Sequence, residues 1–335
     1  MELALTPSQL LEEMPHFHAA GLVPFLLASP GNAKSQLCRQ YADAIRMPYV
    51  VTHLGYKEPQ DVIGWPSQRN GEMVFLTPSD YPKVASVWNF DELTQVPREV
   101  QSPVFELMLD KRIGAYRVPP GSLLCATGNL LADKAHVERI ASALINRMVV
   151  VRLHVPVSDW ITWAKTHDID PRVYTFIRFA PHHLSDFNAA KWDGQSAFSS
   201  LRSWEMVSNY VKATGGVVRG STATVLAGMV SKAAALECTQ FLQVFSRIPT
   251  IEGILLDPYG VKIPEKLDEK LAVCASIAGN ANEKNFKRFL PFIERLEKEF
   301  EVFTVKAARA RCPEIQATEA YILWMDRNTD VVLNS

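Results

Sequence analysis

The sequence contains no two cysteines at a spacing typical of a metal site. Its five cysteines are scattered, and no C-x-x-C pair occurs among them, so a zinc site has little support. An odd number of distant cysteines is typical of free thiols in a reducing compartment. The five are Cys38, Cys125, Cys238, Cys274 and Cys312.

Long apolar runs are also missing. None reaches the ~18 residues that a membrane-spanning helix requires. The N-terminal stretch MELALTPSQLLEEMPHF is amphipathic and acidic, and it lacks the positive start and apolar segment of a signal peptide. There is no internal repeat and no low-complexity segment. We therefore expect a soluble, cytoplasmic protein that does not associate with membranes.

An excess of positive charge is absent too. Lys and Arg number 35 against 36 acidic residues, for a net charge of −1. This balance argues against a basic surface over the whole chain, so nucleic acid is not an expected partner, although a local basic patch is not excluded. The 335 residues are 47% hydrophobic and 21% charged, which is typical of a globular protein of two or three domains.

Strand-length apolar runs alternate with helical segments over the first half of the chain. Five such runs stand at about 22–28, 48–54, 86–91, 121–129 and 147–155. Asn70-Gly71 is a strong hairpin signal between the second and third of them. Nearly continuous apolar strands separated by helices predict a parallel sheet covered on both faces. From about Ser158 onward the sequence is mostly helical.

The stretch LLASPGNAKSQL resembles half of a phosphate-binding loop, G-x-x-x-x-G-K-[S/T]. Lys34 and Ser35 are in place, whereas Ala28 and Ala33 replace the two outer glycines. A strand, a glycine-containing turn and a helix together point backbone N–H groups at one spot, where anions bind. The alternative is an ordinary connection with an exposed lysine. The candidate nucleotide-binding residues are Ser29, Pro30, Gly31, Asn32, Ala33, Lys34, Ser35 and Gln36.

Acidic and amide side chains follow two later strands. Asp91 and Glu92 end the apolar run VWNF, where one acid could hold Mg²⁺ and the other could activate a water. Asn129 follows GSLLCATG. The carboxyl ends of adjacent parallel strands meet at one edge, so these side chains are expected to lie close together. The alternatives are a solvated acidic turn and a turn asparagine after Gly128.

Five segments stand in the order of the motifs of an AAA+ ATPase: ASPGNAKS, VWNFDEL, CATGN, ASALINRMVVVRL and LRSWEMVSNYV. The sequence most resembles the MoxR-like subgroup over about residues 5–230, and its tail also looks like the C-terminal extension of phage-associated ATP-binding proteins of that group. The resemblance implies a P-loop α/β sandwich with strand order 5-1-4-3-2, an all-α lid and a helical C-terminal extension. We expect these parts at 1–156, 157–235 and 236–335.

The resemblance also implies a role for each matching residue. Lys34 and Ser35 match Walker A, with Ser35 as a Mg²⁺ ligand beside Asp91 of Walker B. Glu92 matches the Walker B base, and Asn129 matches sensor 1. Arg147 matches the arginine finger that acts on a neighbouring subunit, with Arg139 as a rival candidate. Arg202 matches sensor 2 at the start of a lid helix.

These roles imply an ATPase that uses Mg-ATP and works as a ring of identical subunits, most often a hexamer. MoxR-like ATPases are commonly paired with proteins carrying a von Willebrand factor A-like domain and act as remodelling chaperones. One alternative is a nucleotide-dependent switch or scaffold with little turnover, which Ala28 and Ala33 favour. The other is a DNA-processing motor or loader, which the near-neutral charge does not favour.

Two features of the sequence call for separate expectations. If Ala33 must adopt a positive φ, the alanine costs about 1–2 kcal/mol there, so hydrolysis is expected to be slow rather than lost. His182-His183 could suggest a metal, but adjacent residues on a helix or strand point apart and no regular grid of acidic and histidine residues surrounds them in sequence. We therefore expect ordinary surface histidines.

Overall fold

Strands and helices alternate through the first half of the chain and helices dominate the second half, in a computed structural model that describes residues 3–133, 140, 142–245 and 247–333. The strands are β1 Pro24–Leu27, β2 Tyr49–His53, β3 Trp65–Arg69, β4 Glu72–Leu76, β5 Val87–Asp91, β6 Arg112–Ile113, β7 Tyr116–Arg117, β8 Leu123–Gly128 and β9 Val149–Arg152. The first seven helices are α1 Pro7–Ala19, α2 Lys34–Ala44, α3 Pro59–Ile63, α4 Arg98–Asp110, α5 Ser142–Ile145, α6 Val157–Thr166 and α7 Pro171–Phe179. The others are α8 Leu201–Ala213, α9 Thr222–Ala227, α10 Lys232–Phe245, α11 Ile251–Leu256, α12 Leu267–Asn280, α13 Phe286–Ile293, α14 Lys298–Arg311 and α15 Glu319–Leu333.

Five of these strands form one parallel sheet in the order β2-β5-β8-β1-β9. When the five strands of the sheet are numbered 1 to 5 along the chain, the order from β9 to β2 is 5-1-4-3-2. This is the order that the resemblance to AAA+ ATPases implies. The predicted α/β fold class is therefore confirmed. Because the strands are parallel, their carboxyl ends meet at one edge, where ligands bind in folds of this kind.

Alternation along each strand divides the apolar side chains between the two faces of the sheet. Phe25 and Trp88 belong to a core that includes side chains of α3 and α4. Their chain neighbours Leu26 and Val87 belong to a separate core that includes side chains of α1 and α2. Both faces are therefore covered, as the continuous apolar strands predict.

The predicted turn at Asn70-Gly71 joins β3 and β4 into an antiparallel hairpin. Both turn residues have positive φ, 54° at Asn70 and 81° at Gly71, as a tight two-residue hairpin requires. A second, shorter hairpin is formed by β6 and β7. Neither hairpin belongs to the parallel sheet.

The chain divides into two compact units by its internal contacts. The first holds the described residues up to Trp163 together with Leu184–Ser203, and it contains the parallel sheet. The second holds Ala164–His183 together with the described residues from Trp204 onward. Residues 157–235 are thus shared between the two units, and the three-part division at 156 and 235 stays a prediction.

The second unit is helical and has its own apolar core, to which α11 to α15 contribute. Phe286, Phe289, Phe292 and Trp324 are almost completely buried in it. The indole of Trp324 donates a hydrogen bond of 2.6 Å to the buried carboxylate of Glu301. Within the described residues, no helix combines the length and apolar character needed to cross a bilayer.

Candidate functional site

The connection between β1 and α2 is a tight turn in which Gly31 and Ala33 both have positive φ. Pro30 and Gly31 form a turn, and Gly31 has a φ of 77°. A Cβ at Gly31 would lie 2.5 Å from the hydroxyl oxygen of Ser200, so this position admits only glycine without rearrangement. Ala33 has a φ of 56° and caps α2 without any side-chain hydrogen bond. The left-handed conformation considered for Ala33 is therefore present, at a cost of about 1–2 kcal/mol.

Lys34 is turned back into this loop. Its ammonium donates hydrogen bonds to the carbonyl oxygens of Ala28 at 2.7 Å and Ser29 at 3.1 Å, and to Oδ1 of Asn129 at 3.0 Å. Burial lowers the pKa of Lys34 to about 8, while the nearby carboxylates of Asp91 and Asp133 act in the opposite direction. The ammonium of Lys34 thus joins the loop after β1 to Asn129, the residue that follows β8.

Asp91, at the end of β5, is the centre of a second group of polar contacts. Ser35 donates a hydrogen bond of 2.8 Å to Oδ1 of Asp91, and the hydroxyl of Thr127 donates to the same oxygen. Nδ1 of His53 lies 3.2 Å from the other carboxylate oxygen. The two predicted metal ligands, Ser35 and Asp91, are therefore in direct contact.

Glu92 and Asn129 lie at the same edge of the sheet. Glu92 has a φ of 63°, and a Cβ at Gly55 would lie 2.9 Å from its Oε2, so glycine at 55 leaves room for this carboxylate. The backbone N–H of Asn129 donates a hydrogen bond of 2.9 Å to the hydroxyl of Thr94. The side-chain amide of Asn129 lies beside Lys34, whose ammonium it accepts from, while the carboxylate of Glu92 lies beside Gly55.

The start of α8 contacts the loop. The backbone N–H of Arg202 donates to the carbonyl of Gly31 at 3.3 Å. Ser200 and Ser203 cap the helix reciprocally, because each hydroxyl accepts from the other's backbone N–H, at 3.3 Å and 2.7 Å. The guanidinium of Arg202 is close enough to act on the pKa of Lys34, and the side chain is exposed. Arg202 therefore lies beside the loop, and its assignment to sensor 2 stays a prediction.

Arg147 is exposed in the turn that follows α5, directly before β9. Within the described part of the chain, no hydrogen bond or ion pair joins its side chain to the group around Lys34 and Asp91. The rival residue, Arg139, lies outside the described residues. Gln36 is exposed in the first turn of α2. The structure thus joins Lys34, Ser35, Asp91 and Asn129 by hydrogen bonds, and it shows Arg147 as an exposed residue.

Three polar residues of the group were not singled out from the sequence: His53, Thr127 and Asp133. His53 is the last residue of β2 and pairs in register with Asp91, and Thr127 lies one residue before the end of β8. The rule that parallel strand ends meet at one edge could have found both. Asp133 accepts a hydrogen bond of 3.0 Å from Ser29, a contact that no local pattern indicates.

One expectation drawn from the sequence is wrong. His182 and His183 do not point apart, because they lie in a single turn of 3-10 helix, and their ring centroids are 4.0 Å apart. His183 is buried rather than on the surface, and its Nε2 lies 3.1 Å from a carboxylate oxygen of Glu237. Pro181–His183 form a 3-10 turn, which is neither a regular helix nor a strand. The carboxylate that meets His183 belongs to Glu237, which is distant in the sequence.

No protein-family model and no curated protein matches this sequence. Among solved structures, the chain is similar to NtrX from Brucella abortus, with 13% identity and a TM-score of 0.42 over 92% of this chain and 69% of that one. It is also similar to a protein inferred to be an ATPase from Cytophaga hutchinsonii, with 14% identity and a TM-score of 0.39 over 91% and 81%. A third is the Holliday junction branch migration motor RuvB from Thermotoga maritima, with 13% identity and a TM-score of 0.38 over 71% and 69%. At this low similarity, we base the fold on the strand order and the site on its geometry.

Proposed function

We propose that this chain is a Mg²⁺-dependent ATPase of the AAA+ type that works as an oligomer. One observation carries the proposal: the hydrogen bonds of Lys34 to the loop and to Asn129, beside the contact of Ser35 with Asp91. These residues stand at the ends of β1, β5 and β8 and at the start of α2. Phosphoryl transfer needs their ammonium, hydroxyl, carboxylate and amide groups at one place.

The start of α2 supports the binding of a phosphate group. The first N–H groups of a helix have no partner within the helix, and here Ala33 provides no side-chain cap for them. They lie next to the ammonium of Lys34, so N–H donors and a positive charge occur together. Lys34 would exchange its carbonyl and amide partners for phosphate oxygens when ATP binds.

The oxygen donors beside Lys34 fit a magnesium ion. The Ser35 hydroxyl and Oδ1 of Asp91 lie 2.8 Å apart, and Mg²⁺ prefers such ligands together with phosphate oxygens and water. We expect Ser35 and Asp91 to hold the ion, with His53 and Thr127 orienting the carboxylate. When bound, Mg²⁺ supplies neutralisation of negative charge on the β- and γ-phosphates.

Hydrolysis would follow from the groups at the strand ends. Glu92 accepts a proton from the attacking water, and Asn129 orients that water against the γ-phosphate. Lys34 and Arg202 stabilise the charge that develops on the phosphoryl oxygens. Arg147 would act in the same way on the nucleotide of a neighbouring copy, since its side chain is exposed.

The resemblance to MoxR-like ATPases extends the proposal to a biological role. We propose a homo-oligomeric ring, of the hexameric kind, that remodels a partner protein carrying a von Willebrand factor A-like domain. Movement of the start of α8 against the loop would transmit the nucleotide state, because Arg202 and Gly31 are hydrogen-bonded. These parts rest on the family resemblance and on the exposure of Arg147.

Steady-state phosphate release, measured together with ATP binding on the same samples, tests the proposal. We expect the wild type to release phosphate, Lys34→Ala to lose both binding and release, and Glu92→Gln to bind ATP but to release phosphate about 10²–10⁴-fold more slowly. Lys262→Ala and Glu265→Gln are matched controls, because both side chains are more than four-fifths exposed and they form an ion pair with each other. Equal release by wild type and Lys34→Ala would overturn the enzyme proposal.

A second candidate is a nucleotide-dependent switch with little turnover, and the positive φ of Ala33 favours it. The Cβ of Ala33 stands at the point where the loop enters α2, and glycine would be unstrained there. The same samples separate the two candidates. ATP binding that depends on Lys34, without phosphate release above that of Glu92→Gln, supports the switch.

A further inference from the structure

The turn that contains His182 and His183 places two imidazoles side by side in the second unit. Pro181–His183 form one turn of 3-10 helix, and the two ring centroids are 4.0 Å apart at an angle of 42°. His182 is exposed and His183 is 5% exposed. One imidazole therefore reaches solvent while its neighbour is fixed in the interior.

A carboxylate from a distant part of the chain meets this pair. Glu237, on α10, places Oε2 at 3.1 Å from Nε2 of His183, and its side chain is half exposed. One ligand atom from each of His182, His183 and Glu237 lies within 4.8 Å of the other two, in the only such group of three found among the described residues. Two imidazoles and a carboxylate are thus gathered at one place.

His183 is held rigidly, as a metal ligand should be. Its backbone carbonyl accepts a hydrogen bond of 2.8 Å from the indole of Trp204. Its ring stacks on Phe176 at 5.9 Å with an interplanar angle of 15°. The side chain therefore has its position fixed by backbone and packing, independently of Glu237.

The Nε2 atom of His183 is buried, and in the described part of the chain it has no hydrogen bond of normal geometry. Glu237 is near enough for an ion pair, but its oxygen does not lie where a hydrogen bond to that nitrogen requires it. A buried nitrogen without a partner is costly. A metal ion held among His182, His183 and Glu237 would satisfy this nitrogen.

We propose that His182, His183 and Glu237 bind a divalent transition metal ion of the zinc class. Bonds of about 2.0–2.2 Å from such an ion to imidazole nitrogen and carboxylate oxygen place neighbouring donors about 3.3 Å apart in a tetrahedral site. The 3.1 Å separation of His183 and Glu237 already matches this spacing. His182 is exposed, so its ring has room to turn inward by the remaining distance.

A simple ion pair between His183 and Glu237 does not explain why the ring of His182 also lies beside them. Two imidazoles with one carboxylate are a donor set that zinc and related metals select, whereas Mg²⁺ and Ca²⁺ prefer oxygen alone. The exposed side of the cluster leaves a fourth position for water. A bound ion would connect the turn at 181–183 to α10 and make this part of the second unit more resistant to unfolding.

Zn²⁺ binding to the full chain, measured by titration calorimetry in excess Mg²⁺, tests the proposal. The excess Mg²⁺ occupies sites made of oxygen donors, including the one proposed at Ser35 and Asp91. His182→Gln is the most informative variant, because the exposed ring contributes little to folding. Glu237→Gln removes the carboxylate in the same way. His154→Gln and Glu319→Gln are matched controls, because each removes an exposed side chain of the same type elsewhere.

We expect one equivalent of Zn²⁺ to bind to the wild type and to both controls, and binding to weaken at least about tenfold in each ligand variant. Co²⁺ used as a second probe should give the visible absorption of a site with nitrogen ligands in the wild type, and His182→Gln should lose it. Zn²⁺ should raise the midpoint of thermal unfolding of the wild type. It should not raise the midpoint of a variant that no longer binds Zn²⁺. Absence of Zn²⁺ binding, or binding of wild-type strength in either ligand variant, would overturn the proposal.

Discussion

The loop at residues 28–35 and the arginine at 147 lie in the same unit but differ in how far their charged side chains are exposed. Lys34 is partly buried, has a lowered pKa and donates to three oxygens within the chain. Arg147 is exposed, and within the described part of the chain no hydrogen bond or ion pair joins it to that group. One part of the proposed ATPase site is assembled within one chain, whereas Arg147 is accessible to solvent.

This difference indicates how the work of the site is divided. Residues that hold the nucleotide gain from rigid positions within one chain, because fixed donors need no reorganisation during the reaction. A residue that acts on a neighbouring copy has to remain free at the surface until the copies meet. Variants in the two regions should therefore fail in different ways.

The largest effect is expected at Arg147. An arginine finger is worth about 10³–10⁵ in rate, so Arg147→Ala should lower phosphate release by at least about 10³ while ATP binding stays close to that of the wild type. The measurement is steady-state phosphate release with ATP binding on the same samples. Arg327→Ala is the matched control, because it removes an exposed arginine of the second unit. A loss of binding in Arg147→Ala would place this residue with the loop instead.

The next effect concerns Gly31. Gly31→Ala would bring a Cβ to 2.5 Å from Ser200 Oγ at a φ of 77°, so the loop and the start of α8 must move. We expect ATP affinity to fall at least about tenfold, which corresponds to 1.4 kcal/mol. Gly21→Ala is the control, since Gly21 has a φ of 65° but nothing within 4 Å of an added Cβ. It shares the backbone strain without the contact, so equal losses of affinity would contradict the role of Ser200.

A smaller effect should follow pH. Burial lowers the pKa of Lys34 to about 8, against the opposing charges of Asp91 and Asp133. The folded chain therefore loses this proton at lower pH than the unfolded chain, and the contribution of Lys34 to stability rises from about pH 8 upward. ATP favours the charged lysine, so ATP affinity should fall by up to about tenfold per pH unit above about 8. Equilibrium binding across that range measures it, and Lys34→Ala should bind weakly without this dependence.

The smallest effect is expected at Ala33. Ala33→Gly removes about 1–2 kcal/mol of strain at a φ of 56°. The added freedom of the unfolded chain costs about 0.4–1 kcal/mol, so the net gain is at most about 1.5 kcal/mol in the free energy of unfolding. Urea unfolding measures the change. Ala233→Gly, at an exposed position of α10, should be destabilising by about 0.5–1 kcal/mol, and a similar loss at Ala33 would contradict the strain.

The sequence predicts candidate site residues best where they lie near the ends of strands. Asp91 ends an apolar strand, Asn129 directly follows one, and Lys34 starts the helix after the loop that follows β1, so the pattern of strands and helices predicts both the sheet and the side chains at its edge. The strand order came from the family resemblance and is confirmed by the observed pairing. Neither result needs knowledge of long-range side-chain packing.

The sequence was less informative where contacts join distant and irregular segments. Asp133 reaches Ser29 from a short turn, and Glu237 reaches His183 from a helix whose own pattern marks only its buried face. Nothing in the local sequence of these acids indicates a partner, because the pairing depends on packing between elements. The same limit explains why the sequence predicts surface histidines at 182 and 183, although His183 is buried.

Phosphate release from an equal mixture of Lys34→Ala and Arg147→Ala chains tests most directly whether two copies share the proposed ATPase site. Each variant alone is expected to be inactive. When they mix at random, about one in four sites combines an intact loop with an intact neighbouring arginine, so release should recover to about a quarter of the wild-type rate. Recovery is expected only after the copies have exchanged. Release from the mixture that stays at the sum of the two separate variants would contradict a shared site.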